Sequence, residues 1–238
     1  MKNIQDLIIF LFSIGISAQN ISEINYDLKL SDSLTYQTEV RIYQGGGITN
    51  YSSLFRIFKD KSEKWTAEFY EHYAKVNRQE ELRTEKQTLK SENNVGFIFQ
   101  NFVRSHIFNL PSLSEIQWKL GTRGNVEKIK NIHRGKEIVE YQLITKKISI
   151  LDGEGFKVQS KGWNKINEFE FSNPDKYLKH YPEIDELIYM CEILNIIRNE
   201  FGIWNMEYGI WNMEYGIWNM EYGIWNMEKI TMHNKELW

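Results

Sequence analysis

Cysteine is nearly absent from this 238-residue chain, since Cys191 is the only one. A single cysteine excludes an intrachain disulfide, so the fold has to rest on a buried core. A chain of this length can build such a core without covalent help, as one full domain or as two small ones. The cysteine also lies far from the N-terminus, which excludes a lipid anchor attached to a cysteine beside a signal sequence.

Long apolar runs are absent after the N-terminus, so the sequence predicts no transmembrane helix, which needs about 20 apolar residues. The run at residues 7–18 is too short for that, follows a positive start with Lys2, and closes on the small residue Ala18. This pattern is typical of a secretory signal peptide over residues 1–19, with a buried N-terminal strand or helix as the alternative. We therefore expect an exported, soluble protein, periplasmic or extracellular, with no membrane insertion once the signal is removed.

A strong net charge and the common catalytic motifs are also missing. The net charge of −3 is too small to favour nucleic acid as a partner. The glycines at residues 45–47 lack the Lys-Ser/Thr of a phosphate-binding loop, and no serine lies in a Gly-x-Ser-x-Gly motif. No two histidines have the i, i+4 spacing of a zinc pair. The sequence predicts no cofactor and no metal site, although catalytic groups can still converge from distant segments.

Alternating apolar and polar residues predict β-strands in two parts of the chain. In residues 24–75, Val40 and Ile42 are among the apolar residues that alternate with polar neighbours. Such alternation is typical of half-buried strands, so we expect an antiparallel meander with one solvent-exposed side. A second meander is expected from about Lys128, with a hairpin at Asp152-Gly153. It should extend the first sheet or pack against it.

Helical spacing of apolar residues predicts the remaining elements. Asn94 offers an N-cap for a helix that should end near Asn109, and Asn173-Pro174 is a typical start for a short helix. Residues 183–201 carry a continuous apolar stripe and predict a long C-terminal helix. The expected fold class is α+β, with antiparallel strand meanders packed with two or three helices in a single domain over residues 20–205.

Three side chains are weak candidates for a catalytic site, namely His72, Glu68 and His106. A carboxylate can orient a catalytic imidazole, and on a strand His72 shares a face with Glu68. A solvent-exposed strand face gives the same pattern, and we prefer that explanation. His106 follows the apolar face of the first predicted helix, where packing is the more common role of a histidine.

The C-terminal part of the chain is a tandem repeat, with FGIWNME followed by three copies of YGIWNME over residues 201–228. Glycine in every unit disfavours a helix, and an odd period moves equivalent side chains to alternate faces of a strand. We expect the first copy to end the domain and residues 206–238 to form a tail. Its Trp211, Trp218 and Trp225 would suit an interaction surface for self-association. A neutral duplication at a chain end is the alternative that we prefer.

These features together do not give a specific biochemical function. The first hypothesis is an exported non-enzymatic binding or structural protein, whose partner is an unknown protein or small ligand. The second is a small exported hydrolase that uses His72 or His106 with nearby carboxylates. The third is an oligomer assembled through the tail. A histidine and a carboxylate in one buried, concave cluster would favour the hydrolase, whereas histidines dispersed on a flat sheet face would favour binding.

Overall fold

A computed structural model describes residues 21–45, 49–75, 81–121, 124–145, 148, 150 and 153–205. Contacts within the chain divide it into two units, residues 1–194 and residues 195–238. The first holds both sheets and nearly all the helices, and the described part of the second is the end of the last helix and a few residues after it. The predicted signal peptide (residues 1–19) and the predicted tail (residues 206–238, with Trp211, Trp218 and Trp225) lie outside the described residues and stay predictions.

The described residues form eight strands, four α-helices and one 3₁₀ turn. In chain order they are α1 (Ile21–Asp27), β1 (Thr38–Gly45), β2 (Tyr51–Lys59), β3 (Trp65–Tyr73), β4 (Arg83–Thr88), α2 (Val95–Arg104), the 3₁₀ turn (Gln117–Lys119), β5 (Asn125–His133), β6 (Lys136–Ile144), β7 (Gly155–Gly162), β8 (Lys165–Ser172), α3 (Pro174–His180) and α4 (Asp185–Phe201).

Six strands form one antiparallel sheet in the order β4-β3-β2-β1-β7-β8. The first four are a meander. The alternation in residues 24–75 predicts β1, β2 and β3, and β4 lies beyond that range. The sheet with its helices confirms the predicted α+β class. Because β1 lies inside the sheet with a partner on each side, its side chains are close to both flanking hairpins, β2–β3 and β7–β8.

One face of this sheet is apolar and carries the main core. Val40, Ile42 and Phe55 point to it and are all fully buried. Helix α2 contributes Phe102, whose ring meets that of Phe55 edge-on at 6.4 Å between centroids. The predicted N-cap of this helix is confirmed, since Asn94 accepts a hydrogen bond from the Gly96 N–H.

The second predicted meander is only partly correct. Strands β7 and β8 do extend the first sheet, but β5 and β6 pair with each other as a separate two-stranded ribbon. The expected hairpin at Asp152-Gly153 is therefore wrong, because β7 pairs with β1 and β8 and not with β6. The two real hairpins turn at Arg134-Gly135 and Trp163-Asn164, where both central residues have positive φ. That backbone is the type I′ turn, which matches the twist of the strands it joins.

The helices differ from the expectations in three respects. Helix α2 ends at Arg104, not near Asn109, because the chain turns through Ser105 and a left-handed His106 with φ of 58°. Helix α3 begins at Pro174 as predicted, but Asn173 adopts φ of 49° and makes no side-chain cap hydrogen bond. Helix α1 is an addition that the sequence pattern did not indicate.

The expectation of a solvent-exposed side for the first meander is also wrong. On the second face of the sheet, Glu39 and Arg41 of β1 are fully buried, and Glu68 and His72 of β3 are nearly so. Helix α1 and residues 28–36 cover this face. They pack through an apolar cluster whose members are Ile24, Tyr43, Leu54 and Tyr70, with Ile21, Leu28 and Leu30 against it.

Candidate functional site

The polar side chains on the second face are brought together by strand register. Arg41 on β1 lies opposite Arg56 on β2, and Arg56 lies opposite Glu68 on β3. Since side chains alternate along a strand, all three project to the same face. Charged groups that are far apart in the sequence therefore meet under α1 and residues 28–36.

Glu39 is the centre of this buried ion network. Its Oε1 accepts from Arg41 Nε at 2.8 Å and from Arg56 Nε at 2.9 Å. Its Oε2 accepts from the backbone N–H groups of Thr35 at 2.7 Å and Tyr36 at 2.9 Å. Burial alone would raise the pKa of Glu39, but the Tyr36 hydrogen bond and the two guanidinium charges outweigh it and hold the pKa below its ordinary value.

Glu68, one of the predicted site residues, belongs to the same network. It accepts from Arg56 Nη1 at 3.2 Å, from Tyr70 Oη at 2.6 Å and from Lys86 Nζ at 2.7 Å. Burial would raise the pKa of Glu68, but hydrogen bonds from Lys86 and Tyr70 more than offset this and lower it. Removing one member would leave a buried charge without its partner, which destabilises proteins by about 3–5 kcal/mol.

His72 occupies a separate part of the same face, and it is 2% exposed, so the preferred solvent-exposed explanation is wrong. Its Nδ1 lies 3.0 Å from Ser52 Oγ and its Nε2 lies 2.8 Å from Asp27 Oδ2. No hydrogen bond joins His72 to Glu68 within the described part of the chain. His72 thus has a carboxylate partner, but this partner is Asp27 of α1. The alternation of residues within β3 could not have indicated a partner from another element.

A hydroxyl, an imidazole and a carboxylate in series are the groups of a nucleophilic triad. In this chain, however, Ser52 is only 1% exposed. The cleft beside α1, which is described below, does not include Ser52, His72 or Asp27 in its lining. The series therefore links α1 to the sheet and offers no hydroxyl to a substrate in this conformation.

His106 does not join His72. It lies in the turn after α2, where it is exposed, and its ring packs against Tyr189 of α4 at 4.5 Å between centroids. Helix α2 covers the apolar face of the sheet, whereas His72 points to the polar face. The two candidate histidines therefore do not form one site.

A cleft of about 760 Å³ opens on the polar face beside α1, where β1, β7 and β8 run together. Its polar lining consists of Asp32, Gln44, Lys157, Gln159, Glu168 and Glu170, with several serines and Gln117. Ile21, Ile24 and Leu113 supply apolar side chains. A concave site with mixed lining and this volume falls within the range of roughly 300–1,000 Å³ found for small-molecule sites.

Helix α1 forms one wall of the cleft and is held by hydrogen bonds from its other residues. Tyr43 Oη donates to Asn25 Oδ1 at 2.8 Å, and Asn25 Nδ2 donates to Asp32 Oδ1 at 3.0 Å. The His72–Asp27 contact fixes the end of the helix. The buried polar groups therefore position the wall of the cleft without lining most of it.

The cleft is the feature that sequence reasoning missed. Its signal was the alternation of Glu168 and Glu170 with Phe169 and Phe171, which correctly indicates a strand with a polar face. Nothing in that pattern shows that β7 pairs with β1 and that β8 follows β7 at the edge of the same sheet. Without that pairing, and without α1, no concave surface could be inferred.

No three His, Cys, Asp or Glu side chains among the described residues are grouped so that they could hold a metal ion. No helix in this part of the chain is both long and apolar enough to span a membrane.

Comparison with protein-family models, with curated proteins and with solved structures finds no match for the chain. The chain is therefore an α+β protein with a cleft on the covered face of its sheet, and both charged and apolar side chains line this cleft.

Proposed function

We propose that this chain is an exported, non-enzymatic binding protein that holds a small polar ligand in the cleft beside α1. The observation that carries the proposal is the cleft itself, which combines a suitable volume with charged and apolar side chains. Small-molecule sites are lined mainly by apolar side chains with a few polar groups that orient the ligand. The larger number of polar groups in this cleft favours a polar ligand. Export rests on the signal pattern of residues 1–19, and Met1 intact on protein from the native host would contradict it.

Binding fits the polar face better than catalysis because the ionisable side chains that could act as acid or base already have hydrogen-bond partners within the protein. Glu39 and Glu68 each hold several donors, and both ring nitrogens of His72 have partners. A general acid or base has to reach a substrate proton. The cleft does not expose any of these three side chains, since its lining is formed by other residues.

Hydrolysis is the second candidate, and the Ser52–His72–Asp27 series is the specific observation in its favour. It ranks lower because Ser52 is buried, and because a movement of α1 would be needed to uncover its hydroxyl. Assembly through residues 206–238 remains a separate prediction from the sequence.

The proposal is tested with a substitution that fills the cleft. Ser114 is exposed, lines the cleft, and has no hydrogen-bond partner among the described residues, so Ser114→Trp should block the site without unfolding the protein. A library of small polar molecules is screened by thermal shift against the wild type and this variant. Compounds that raise the unfolding temperature of the wild type should lose their effect on Ser114→Trp.

The matched control is Lys61→Trp, which places the same side chain in the exposed β2–β3 turn, away from the cleft. It should keep the wild-type response to every compound. Equal responses of all three proteins would place binding elsewhere and contradict the proposal.

A further inference from the structure

The charges that line the cleft are not balanced. Asp32, Glu168 and Glu170 contribute three carboxylates, and Lys157 is the one basic residue in the lining formed by described residues. Exposed charges of one sign in a concave surface attract ligands of the opposite sign.

Asp32 accepts a hydrogen bond from Asn25, and the strand register separates the other two carboxylates, Glu168 and Glu170. Gln159 lies opposite Glu168, and Lys157 lies opposite Glu170. Lys157 nevertheless reaches diagonally, with Nζ 2.8 Å from Glu168 Oε1, while Gln159 Nε2 donates to Glu168 Oε2 at 2.9 Å. Both oxygens of Glu168 are thus engaged. No described residue forms an ion pair with the neighbouring Glu170.

Gln159 adds a second, independent observation. Its Oε1 is buried and accepts no hydrogen bond from any residue that the structure describes. A buried acceptor without a donor costs about 1–3 kcal/mol, so a bound donor gains affinity from it once the side chain shifts to bring Oε1 to the cleft. The amide cannot simply be flipped, because Oε1 would then face the Glu168 carboxylate that Nε2 now binds.

We propose that the cleft takes a small ligand with a protonated amine on an apolar body, the ammonium group lying against Glu170. This inference rests on the proposed binding function. The exposed carboxylate of Glu170 and the buried amide oxygen of Gln159 are both acceptors without a donor among the described residues, and an ammonium group is a donor with positive charge. Ile21 of α1 and Leu113, which lies beside Glu170, also line the cleft and would contact the apolar body.

Isothermal titration calorimetry of the exported full chain at neutral pH tests the ligand class with three phenyl compounds. The probe is phenethylamine, which is protonated; 2-phenylethanol is its neutral counterpart, and 3-phenylpropionate carries the opposite charge. Phenethylamine should bind about 10-fold more tightly than 2-phenylethanol, the ratio expected for one charge-assisted hydrogen bond. The acid should bind most weakly.

Glu170→Gln separates charge from shape. Glu170 is exposed, so the variant should fold, and its affinity for phenethylamine should fall about 10-fold while that for 2-phenylethanol stays unchanged. Glu127→Gln, an exposed carboxylate on the β5–β6 ribbon, is the matched control and should behave as the wild type.

The two proposals fail in different ways. Equal binding of the three probes, no binding at millimolar concentration, or an unchanged affinity in Glu170→Gln overturns the amine inference. Phenethylamine binding that Ser114→Trp leaves intact would put the amine outside the cleft, which contradicts the proposed function as well.

Discussion

His72 Nε2 lies 2.8 Å from Asp27 Oδ2, which ties strand β3 to a helix 45 residues earlier in the chain. Asp27 is the last residue of α1, and α1 is a wall of the cleft. The pair is therefore a positioning contact: the histidine that sequence reasoning offered as a catalytic candidate fixes the helix that shapes the binding surface.

His72→Asn should destabilise the protein. Asparagine is too short to reach both Ser52 and Asp27, so at least one buried polar group loses its partner, which costs about 1–3 kcal/mol of unfolding free energy. Urea denaturation followed by circular dichroism measures the change. His106→Asn is the matched control, since His106 is exposed, has positive φ that asparagine tolerates, and should change stability by less than about 0.5 kcal/mol. Equal losses in both variants would contradict the role of His72.

Ser52→Ala should leave any esterase activity unchanged. Because Ser52 is 1% exposed, its hydroxyl cannot attack a substrate without a movement of α1. Release of p-nitrophenolate from p-nitrophenyl acetate by wild type and variant should be the same within error. A rate that depends on Ser52 and also falls in His72→Asn would support the hydrolase candidate instead.

Acid should weaken the fold through the buried carboxylates. The pKa values of Glu39 and Glu68 are lower in the folded chain than their ordinary value of 4.5. A depressed pKa stabilises the folded state above that value, and the contribution is lost as the pH falls below it toward the folded-state pKa. Urea denaturation of the wild type should show this loss between neutral pH and about pH 3.

Glu39→Gln isolates one of these contributions. It leaves Arg41 and Arg56 without their shared anion and should cost about 3–5 kcal/mol at neutral pH. Its stability should also fall less steeply in acid than that of the wild type. The control is Glu92→Gln, which removes an exposed carboxylate. Its stability should depend on pH as that of the wild type does. If Glu39→Gln does not fold, the wild-type profile still decides, since a flat profile down to about pH 3 contradicts the assignment.

Deletion of residues 208–228 should change neither the unfolding temperature nor the mass of the protein in solution. The repeated units read as a neutral duplication at a chain end, where additions disturb a fold least. Light scattering coupled to size-exclusion chromatography measures the mass. An assembly that dissociates when these residues are removed would show that the repeat is an interaction segment.

The local pattern was sufficient for most of the fold and for little of the site. Alternation around Val40 and the cap at Asn94 correctly predicted a strand and a helix, because both signals come from neighbours in sequence. The pairing of β7 with β1 was missed because it depends on contacts about 115 residues apart, such as Ile42 with Val158. Periodicity cannot report such contacts.

The prediction that the polar face is exposed to solvent was wrong for a related reason. Alternation shows that Glu39 and Arg41 share a face, but it cannot show that another segment covers that face. The covering segment consists of α1 and residues 28–36. It is short and shows no clear helical or strand periodicity in its apolar residues. From the pattern alone, Glu39 is expected to face solvent. In the structure it is buried, and it accepts hydrogen bonds from two arginines and two backbone N–H groups.

The most direct test of ligand binding in the cleft is an NMR titration of the exported chain with phenethylamine, 2-phenylethanol and 3-phenylpropionate. If the cleft is the binding site, the largest shifts should fall on the side-chain amide of Gln159 and the backbone amides of Lys157 and Glu170, and Ser114→Trp should abolish them. Shifts centred on Ser52 and Asp27, or no shifts with any of the three probes at millimolar concentration, would contradict a binding site in the cleft.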